Sequence, residues 1–313
     1  MTLCIAAKAF DSYETNIGYG CVVTCMDLRV ETPTASSETT SKSRIVGNFQ
    51  WEILMAGTLP LAEEIVAIYD RELEFLPPEM PTIERLRKPL DVFRNRSASA
   101  FTQSRYAVSY DDFLAKGHSW FGETLFRETL AELKNYIGDQ ERQVQLLFIG
   151  LDEEEEIAIY KYSSGELWQC GDFAAIGSGE TVAEAILHYR RIHQMLSLQE
   201  VAFAVFEAKN IGEVTPGVGF LTGMGITESG GMYGDRSLCI REIGFGGHSF
   251  LKEQLEKYSM RPYVPNLAPD PNYLDVMGFG PIREEDSRDP RSTTGELSLQ
   301  QPSPESHGGT DES

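Results

Sequence analysis

The chain opens with MTLCIAAKAF, in which a threonine directly follows the first methionine. If Met1 is removed, Thr2 carries a free α-amino group beside its own hydroxyl. An α-amino group ordinarily has a pKa of about 7.7–8.0, so near neutral pH it can take up the hydroxyl proton, through water. Thr2 is therefore a candidate nucleophile that carries its own base.

Such a nucleophile needs a carboxylate, a cation and a backbone N–H group around it, and the sequence offers candidates for each. Asp27 ends the apolar run CVVTCM, where a carboxylate is costly to bury without a partner, and Arg29 shares its strand face. Lys42 precedes the run RIVGN. Gly57 stands where a predicted strand passes into a helix, so its amide can point into a site from the helix N-terminus.

Each candidate also has a purely structural interpretation. Asp27 and Arg29 can form a structural ion pair, Lys42 can be a solvated loop lysine, and Gly57 can simply allow the chain to enter a helix. These alternatives stay open at the level of sequence.

The regular elements around these residues follow from the apolar pattern. Runs of β-branched and apolar residues predict strands at 2–10, 19–30, 43–48 and 51–56. A long helix is predicted from the helical spacing of Leu59, Leu61, Ile65, Ile68, Tyr69 and Leu73. Residues 77–118 are polar and interrupted by prolines, and a second helix is predicted only after them, in SWFGETLFRETLAELKNYIG.

The second half of the chain repeats this order of strands and helices. Strands are predicted in VQLLFIGLD, EIAIYKYS and LWQCGDFAAIGSG, then helices in GETVAEAILHYRRIHQM and SLQEVAFAVFEAKNI, the latter opened by a capping box at Ser197. The last strands are VGFLTGMGIT and GMYGDRSLCIREI. We therefore expect an α+β fold, a four-layer αββα sandwich of two antiparallel sheets flanked by helix pairs.

The combination TLCIAAKAF, CMDLR, SKSRIV and ILMAG resembles the amino-terminal third of a proteasome β-type subunit. The similarity continues through LLFIGLDEEEEIAIYKYSSGELWQCGDFAAIGSGETVAEAIL and covers roughly residues 2–250 in order. It implies the N-terminal nucleophile (Ntn) hydrolase fold and a threonine peptidase that cleaves peptide bonds through an acyl-enzyme. It also implies a homo-oligomeric ring in the cytoplasm, acting on a peptide or protein substrate without a cofactor.

Carried over by position, the resemblance makes Thr2 the nucleophile, Asp27 and Lys42 its electrostatic partners, and Gly57 the donor to the oxyanion. Further positions match residues with supporting or substrate-binding roles: Arg29 and Ser178 as support, and Val30 and Met55 in the pocket for the residue before the scissile bond.

The chain departs from the family where an Asp-x-x-Ser-Gly-Gly motif is expected. The corresponding stretch is NIGEVTPGVG, in which Glu213 and Thr215 are loose stand-ins for the supporting acid and serine. Two alternatives to a peptidase follow. One is a catalytically silent ring or scaffold subunit, and the other is an amidase of small molecules on the same fold.

The position of the cation depends on register. Counting back from the strand end at Gly57, the family's lysine falls on Lys42 or Ser43, and a shift of one residue turns a side chain to the other face of a strand. We expect Lys42, because a cation near the hydroxyl oxygen stabilises developing negative charge and serine cannot do so. Arg44, on the same strand face, is the alternative cation.

Composition excludes several other classes. The net charge of −21 repels nucleic-acid backbones and anionic membrane surfaces, and no segment approaches the ~18 apolar residues of a membrane helix. The five histidines are scattered without metal-ligand spacing, so no metal site is expected. The five cysteines include no Cys-x-x-Cys pair and fall mostly in apolar runs, which favours buried, reduced thiols and a cytoplasmic location.

The amino-acid composition of the chain changes near residue 265, which divides the chain into two regions. Residues 1–264 are the expected catalytic domain, and residues 265–313 form an acidic tail rich in proline and serine. Within it, residues 281–313 contain no aromatic residue. So little apolar surface cannot offset the entropy of ordering, and we expect this tail to be disordered.

Deletion of residues 281–313 should leave the melting temperature and the oligomeric state nearly unchanged, because this segment has no residues with which to build a core. Thermal unfolding and light scattering of the full and shortened chains test this. Loss of the assembled protein on truncation would show instead that the tail docks on the folded part.

Overall fold

A computed structural model describes residues 2–11, 19–28, 30–31, 36–37, 41–77, 79–229 and 237–259. The predicted acidic tail, from residue 265, lies outside the described residues. Within the described part the fold is mixed α+β, with six helices and two five-stranded antiparallel sheets. None of the described helices is both long enough and apolar enough to span a bilayer.

The first sheet contains the strand that follows Thr2 and the strand that ends at Asp27. Its strands are β1 (Leu3–Asp11), β2 (Tyr19–Asp27), β10 (Phe173–Gly177), β11 (Thr222–Ser229) and β12 (Leu238–Glu242). They lie in the order β10-β1-β2-β11-β12. Strand β1 is therefore an interior strand, between β2 and β10.

The second sheet has the order β5-β6-β7-β8-β9. Its strands are β5 (Ser43–Val46), β6 (Trp51–Gly57), β7 (Val144–Leu151), β8 (Ile157–Ser163) and β9 (Glu166–Gln169). A separate two-stranded ladder pairs β3 (Val30–Glu31) with β4 (Ser36–Ser37).

The six helices fall into two sequence groups. Between β6 and β7 lie α1 (Leu59–Leu73), α2 (Thr82–Tyr106) and α3 (Tyr110–Arg142), and after β10 come α4 (Glu180–Tyr189), α5 (Leu198–Gly212) and α6 (Phe245–Tyr258). Helix α3 is interrupted at Gly122, whose φ of 75° is not helical.

Three apolar clusters hold these elements together. One joins the first sheet to α4, α5 and α6, and a second joins the second sheet to α1 and α2. The third contains residues of both sheets, such as Cys4 and Ala6 from β1 and Leu54 and Ala56 from β6. Each sheet thus buries one face against helices and the other against its partner, which is compatible with a sandwich.

The prediction of two helices between β6 and β7 was incomplete. Helix α2 covers residues that the sequence pattern left as an irregular, proline-interrupted stretch. Its buried residues Leu86, Leu90 and Phe93 recur at helical spacing, but the many polar residues and Pro89 obscure that pattern. Helix α6 was also missed, because it opens with the glycine-rich sequence FGGHSF.

Other local predictions are confirmed. The capping box at Ser197 is present, since its hydroxyl accepts from the backbone of Glu200 and the Glu200 carboxylate accepts from the backbone N–H of Ser197. Helix α1 begins and ends close to the expected limits. The end of strand β2, in contrast, was predicted wrongly. The strand ends at Asp27, before the expected residue 30.

A buried glutamate links the two sheets. Glu52 on β6 accepts a hydrogen bond of 2.5 Å from the Thr227 hydroxyl of β11, in the other sheet, and one of 2.8 Å from the Ser43 hydroxyl of β5. The residue is 2% exposed. Burial raises the pKa of this carboxyl above its ordinary value, and the two hydroxyl hydrogen bonds only partly oppose the change.

The raised pKa of Glu52 predicts a pH-dependent stability. The folded state binds the Glu52 proton more tightly than the unfolded state, so its contribution is fully present below the unfolded pKa of about 4.5 and is lost as pH rises through the folded pKa. We expect wild type to lose stability relative to Glu52→Gln by about 1.4 kcal/mol per pH unit while this group titrates.

Urea unfolding of both proteins between about pH 4 and 8 starts below the unfolded pKa and measures this difference. Glu166→Gln removes the same charge from an exposed position and controls for net charge. A difference between wild type and Glu52→Gln that stays constant over the range would mean that Glu52 ionises normally in the folded protein.

Candidate active site

Thr2, Asp27 and Lys42 are in direct contact where the two sheets meet. The Thr2 hydroxyl donates to Oδ1 of Asp27, and the Lys42 ammonium donates both to Oγ1 of Thr2 and to the same carboxylate oxygen. All three side chains are buried. The sequence therefore placed the nucleophile candidate, the carboxylate and the cation correctly beside one another.

Strand pairing explains why these residues meet. Strands β1 and β2 are antiparallel neighbours in which Cys4 lies opposite Met26, so Thr2, two residues before Cys4, lies near the end of β2, where Asp27 stands. Lys42 comes from the other sheet, directly before β5, and its carbonyl accepts a 2.8 Å hydrogen bond from the backbone N–H of Met55 on β6. The cation thus belongs to one sheet and the hydroxyl to the other.

The structure separates Lys42 from its alternative. Arg44 lies on the protein surface, where its guanidinium pairs with Glu63 at 3.1 Å and donates to the carbonyl of Ser43 at 3.0 Å. Its side chain is 43% exposed. Of these two candidates, only Lys42 contacts Thr2.

Both oxygens of the Asp27 carboxylate are bonded. While Oδ1 accepts from Thr2 and Lys42, Oδ2 accepts a 2.8 Å hydrogen bond from the backbone N–H of Gly219, in the loop between α5 and β11. A buried carboxylate needs such donors to offset the loss of water. No sequence pattern could identify Gly219, because a backbone donor can come from any residue type.

Ser178 supports the backbone of Thr2. Its hydroxyl donates to the Thr2 carbonyl at 3.2 Å. Ser178 does not cap the helix that follows it, since Gly179 is the N-cap of α4 and that terminus has no side-chain cap. The neighbouring Gly177 is fixed by Gln145, whose side-chain oxygen accepts from its N–H at 2.7 Å.

Gly177 and Gly57 lie where two backbone segments approach each other closely. Gly177 has a φ of 97°, and a Cβ there would lie 2.1 Å from the Thr2 carbonyl oxygen. Gly57, at the end of β6, has a φ of 94°, and a Cβ would lie 2.0 Å from the carbonyl oxygen of Gln143. Both positions therefore require glycine for two separate reasons, the left-handed backbone and the lack of space.

Several predicted site residues are placed elsewhere or are not described. Met55 is fully buried in the cluster beneath α1 and α2, so its side chain has no surface with which to line a pocket, and it meets the site only through its backbone. Val30 is described only as part of the short strand β3, and Arg29 lies outside the described residues.

The predicted supporting residues Glu213 and Thr215 form contacts within α5 and the loop that follows it. The Glu213 carboxylate pairs with Lys209 on the preceding turn of α5. The backbone of Thr215 forms turns with Gly212 and Val218, and so shapes the loop that carries Gly219.

A thiol lies close to the same cation. Cys4, two residues after Thr2, donates from Sγ to the carbonyl of Met55 at 3.4 Å. Burial raises the pKa of the Cys4 thiol well above its ordinary value, and the nearby charge of Lys42 opposes this only in part. Cys4 is therefore held as a thiol, which leaves the Thr2 hydroxyl as the nucleophile candidate beside Lys42.

Comparison with known proteins adds no assignment. Neither the models of known protein families nor the curated proteins contain a match to this chain. Among the described residues, no group of three or more His, Cys, Asp or Glu side chains is arranged to hold a metal ion.

The burial of the Lys42–Asp27 pair predicts a strong coupling in stability. Lys42→Met leaves the Asp27 charge buried without its cation and should destabilise the fold by about 3–5 kcal/mol. The double variant Lys42→Met/Asp27→Leu removes both charges and should be no less stable than either single variant, because no unpaired charge remains.

Urea unfolding of the four proteins in this cycle provides the measurement. Lys257→Met, which breaks an exposed pair with Glu253 on α6, is the matched control and should have little effect. Additive losses in the double variant would contradict a coupled, buried pair.

Proposed function

We propose that this protein is an N-terminal threonine hydrolase of the proteasome β type, which cleaves peptide bonds through an acyl-enzyme on Thr2. The observation that carries the proposal is the position of the Lys42 ammonium, which donates to Oγ1 of Thr2 while both groups contact Asp27. A cation at this point stabilises the oxygen as it loses its proton. A threonine with only a structural role needs no such partner.

The proposed reaction starts once the chain begins at Thr2. The α-amino group takes the proton from the hydroxyl through a water molecule, and Oγ1 bonds to the carbonyl carbon of the substrate. The resulting oxyanion is bonded by the N–H of Gly57, which is the donor proposed for this role. The amine then gives its proton to the leaving nitrogen, the C–N bond breaks, and water later hydrolyses the ester.

The architecture supports the same proposal. Two antiparallel sheets pack on each other, and helices cover their other faces, as the Ntn hydrolase fold requires. Thr2 lies directly before the interior strand β1, and Ser178 in the Gly-Ser-Gly loop bonds its carbonyl. We extend the proposal to a homo-oligomeric ring in the cytoplasm that admits peptides or unfolded protein, without a cofactor.

A catalytically silent ring or scaffold subunit is the second candidate. The observation that favours it is that Thr2 is 4% exposed, so that a substrate carbonyl has little access to Oγ1 in this conformation. The pairing of Glu213 with Lys209 is a further departure from the family's supporting network.

Covalent labelling distinguishes the two candidates. Incubation of the native protein with a β-lactone or a peptide boronate should modify Thr2, and intact mass should show that Met1 is absent. Thr2→Ala should abolish labelling because the nucleophile is gone. Lys42→Ala should lower the rate of labelling on the order of a thousandfold, because it removes several kcal/mol of transition-state stabilisation.

The matched control is Thr24→Val on β2. Thr24 has a buried hydroxyl on the neighbouring strand, outside the proposed machinery, and the variant should be labelled like wild type. Retention of Met1 in all molecules, or unlabelled wild type, would favour the silent subunit. Labelling that does not increase with the length of a peptide reagent would favour a small-molecule amidase.

A further inference from the structure

Lys209 is a buried cation that the proposed reaction leaves unused. It lies on α5, in the apolar stretch VAFAVFEAKNI, and its side chain has no exposed surface. Removing an ammonium group from water costs several kcal/mol unless its donors are satisfied. Its ammonium pairs with Glu213 and donates to the carbonyl of Phe220 at 2.9 Å.

The bond to Phe220 fixes the exposed end of a loop whose inner residue, Val218, is buried in the apolar cluster of the first sheet. The Phe220 side chain is 66% exposed, and Val214 and Leu221 are also exposed. Backbone turns shape the loop from Gly212 to Val218. Lys209 is thus an anchor that ties the far end of this loop to the body of α5.

The anchored residue lies directly beside the donor to Asp27. Gly219 precedes Phe220, and its N–H donates to Oδ2 of the Asp27 carboxylate at 2.8 Å. On the other side, the carbonyl of Leu221 accepts from the N–H of Leu28 at 3.0 Å, one residue after Asp27. The two hydrogen bonds hold the loop against the end of β2, and Lys209 fixes the residue between them.

Electrostatics place the same groups together. Burial raises the pKa of the Cys25 thiol to about 12, and its nearby charges are Lys209, which lowers the value, and Asp27 and Glu213, which raise it. The charges of Lys209 and Asp27 therefore both act on one buried thiol. This agrees with the geometry of the loop.

We propose that Lys209 is a positioning residue for the reaction at Thr2, and this inference rests on the proposed function. By fixing Phe220, Lys209 holds the Gly219 N–H on Oδ2 of Asp27. That contact sets the rotation of the carboxylate, so that Oδ1 faces Thr2 and Lys42. Lys42 acts directly on the nucleophile, whereas Lys209 acts on it through the loop and Asp27.

The test separates binding from chemistry with a peptide β-lactone of fixed sequence. We expect Lys209→Met to lower the rate constant of covalent modification by about 10–100-fold, the cost of a small misplacement of catalytic groups, with little change in reversible affinity. Lys209→Arg keeps the charge and the donors and should restore part of the rate. Glu213→Gln keeps the donor to Phe220 and should have a smaller effect than Lys209→Met.

The matched control is Glu207→Gln, also on α5. Glu207 is buried in a pair with Arg190, with contacts of 2.5 and 2.6 Å. The control loses a buried charge from the same helix and is expected to lose stability without a change in the modification rate constant. An equal loss of rate in Glu207→Gln and Lys209→Met would show that Lys209 acts only through general stability.

The outcomes distinguish this inference from the function on which it rests. If wild type and Lys209→Met react at the same rate, Lys209 has no positioning role, while the hydrolase proposal stands. If wild type does not react, the hydrolase proposal fails and the role of Lys209 fails with it. If Lys209→Met does not fold, Lys209→Gln replaces it, since a neutral amide can still donate to Phe220. A rate constant close to that of wild type in Lys209→Gln then supports the anchor, and a loss as large as that expected for Lys209→Met overturns it.

Discussion

The burial of one ammonium group and one carboxylate around a threonine hydroxyl is the constraint on which this structure depends. Lys42 comes from the second sheet, whereas Thr2 and Asp27 are held by the first. Removing these charges from water costs free energy that apolar side chains of similar volume would not cost. The surrounding backbone offsets this cost by placing Gly219 on the free carboxylate oxygen and Ser178 on the Thr2 carbonyl.

The same need for compensation recurs where the sheets face each other. Gln145 on β7 bonds Gly177 of the first sheet and the carboxylate of Glu180, which also pairs with the buried Lys161 on β8. Glu52 bonds Thr227 across the sheets. These polar contacts have defined geometry, unlike the apolar contacts around them, and they fix how the two sheets are aligned.

The sequence predicted which side chains meet at Thr2 better than it predicted the whole fold. Sequence inspection could find Thr2, Asp27 and Lys42, because a reactive or charged side chain is conspicuous in or beside an apolar run. Gly219 could not, because its contribution is a backbone N–H. Helix α2 was missed because Pro89 and its polar residues hide the apolar spacing, and burial of Met55 depends on helices packed over β6, which local pattern does not show.

The glycines at 57 and 177 limit how this chain can vary. Asparagine and aspartate often replace glycine at a positive φ, since they tolerate that backbone better than other residues. Here each missing Cβ would fall about 2 Å from a carbonyl oxygen of another segment, so a tolerant backbone does not help. In a saturation library of this protein, only glycine would be recovered at these two positions. The close approach of the backbone segments at the strand ends around Thr2 would therefore be kept in every functional variant.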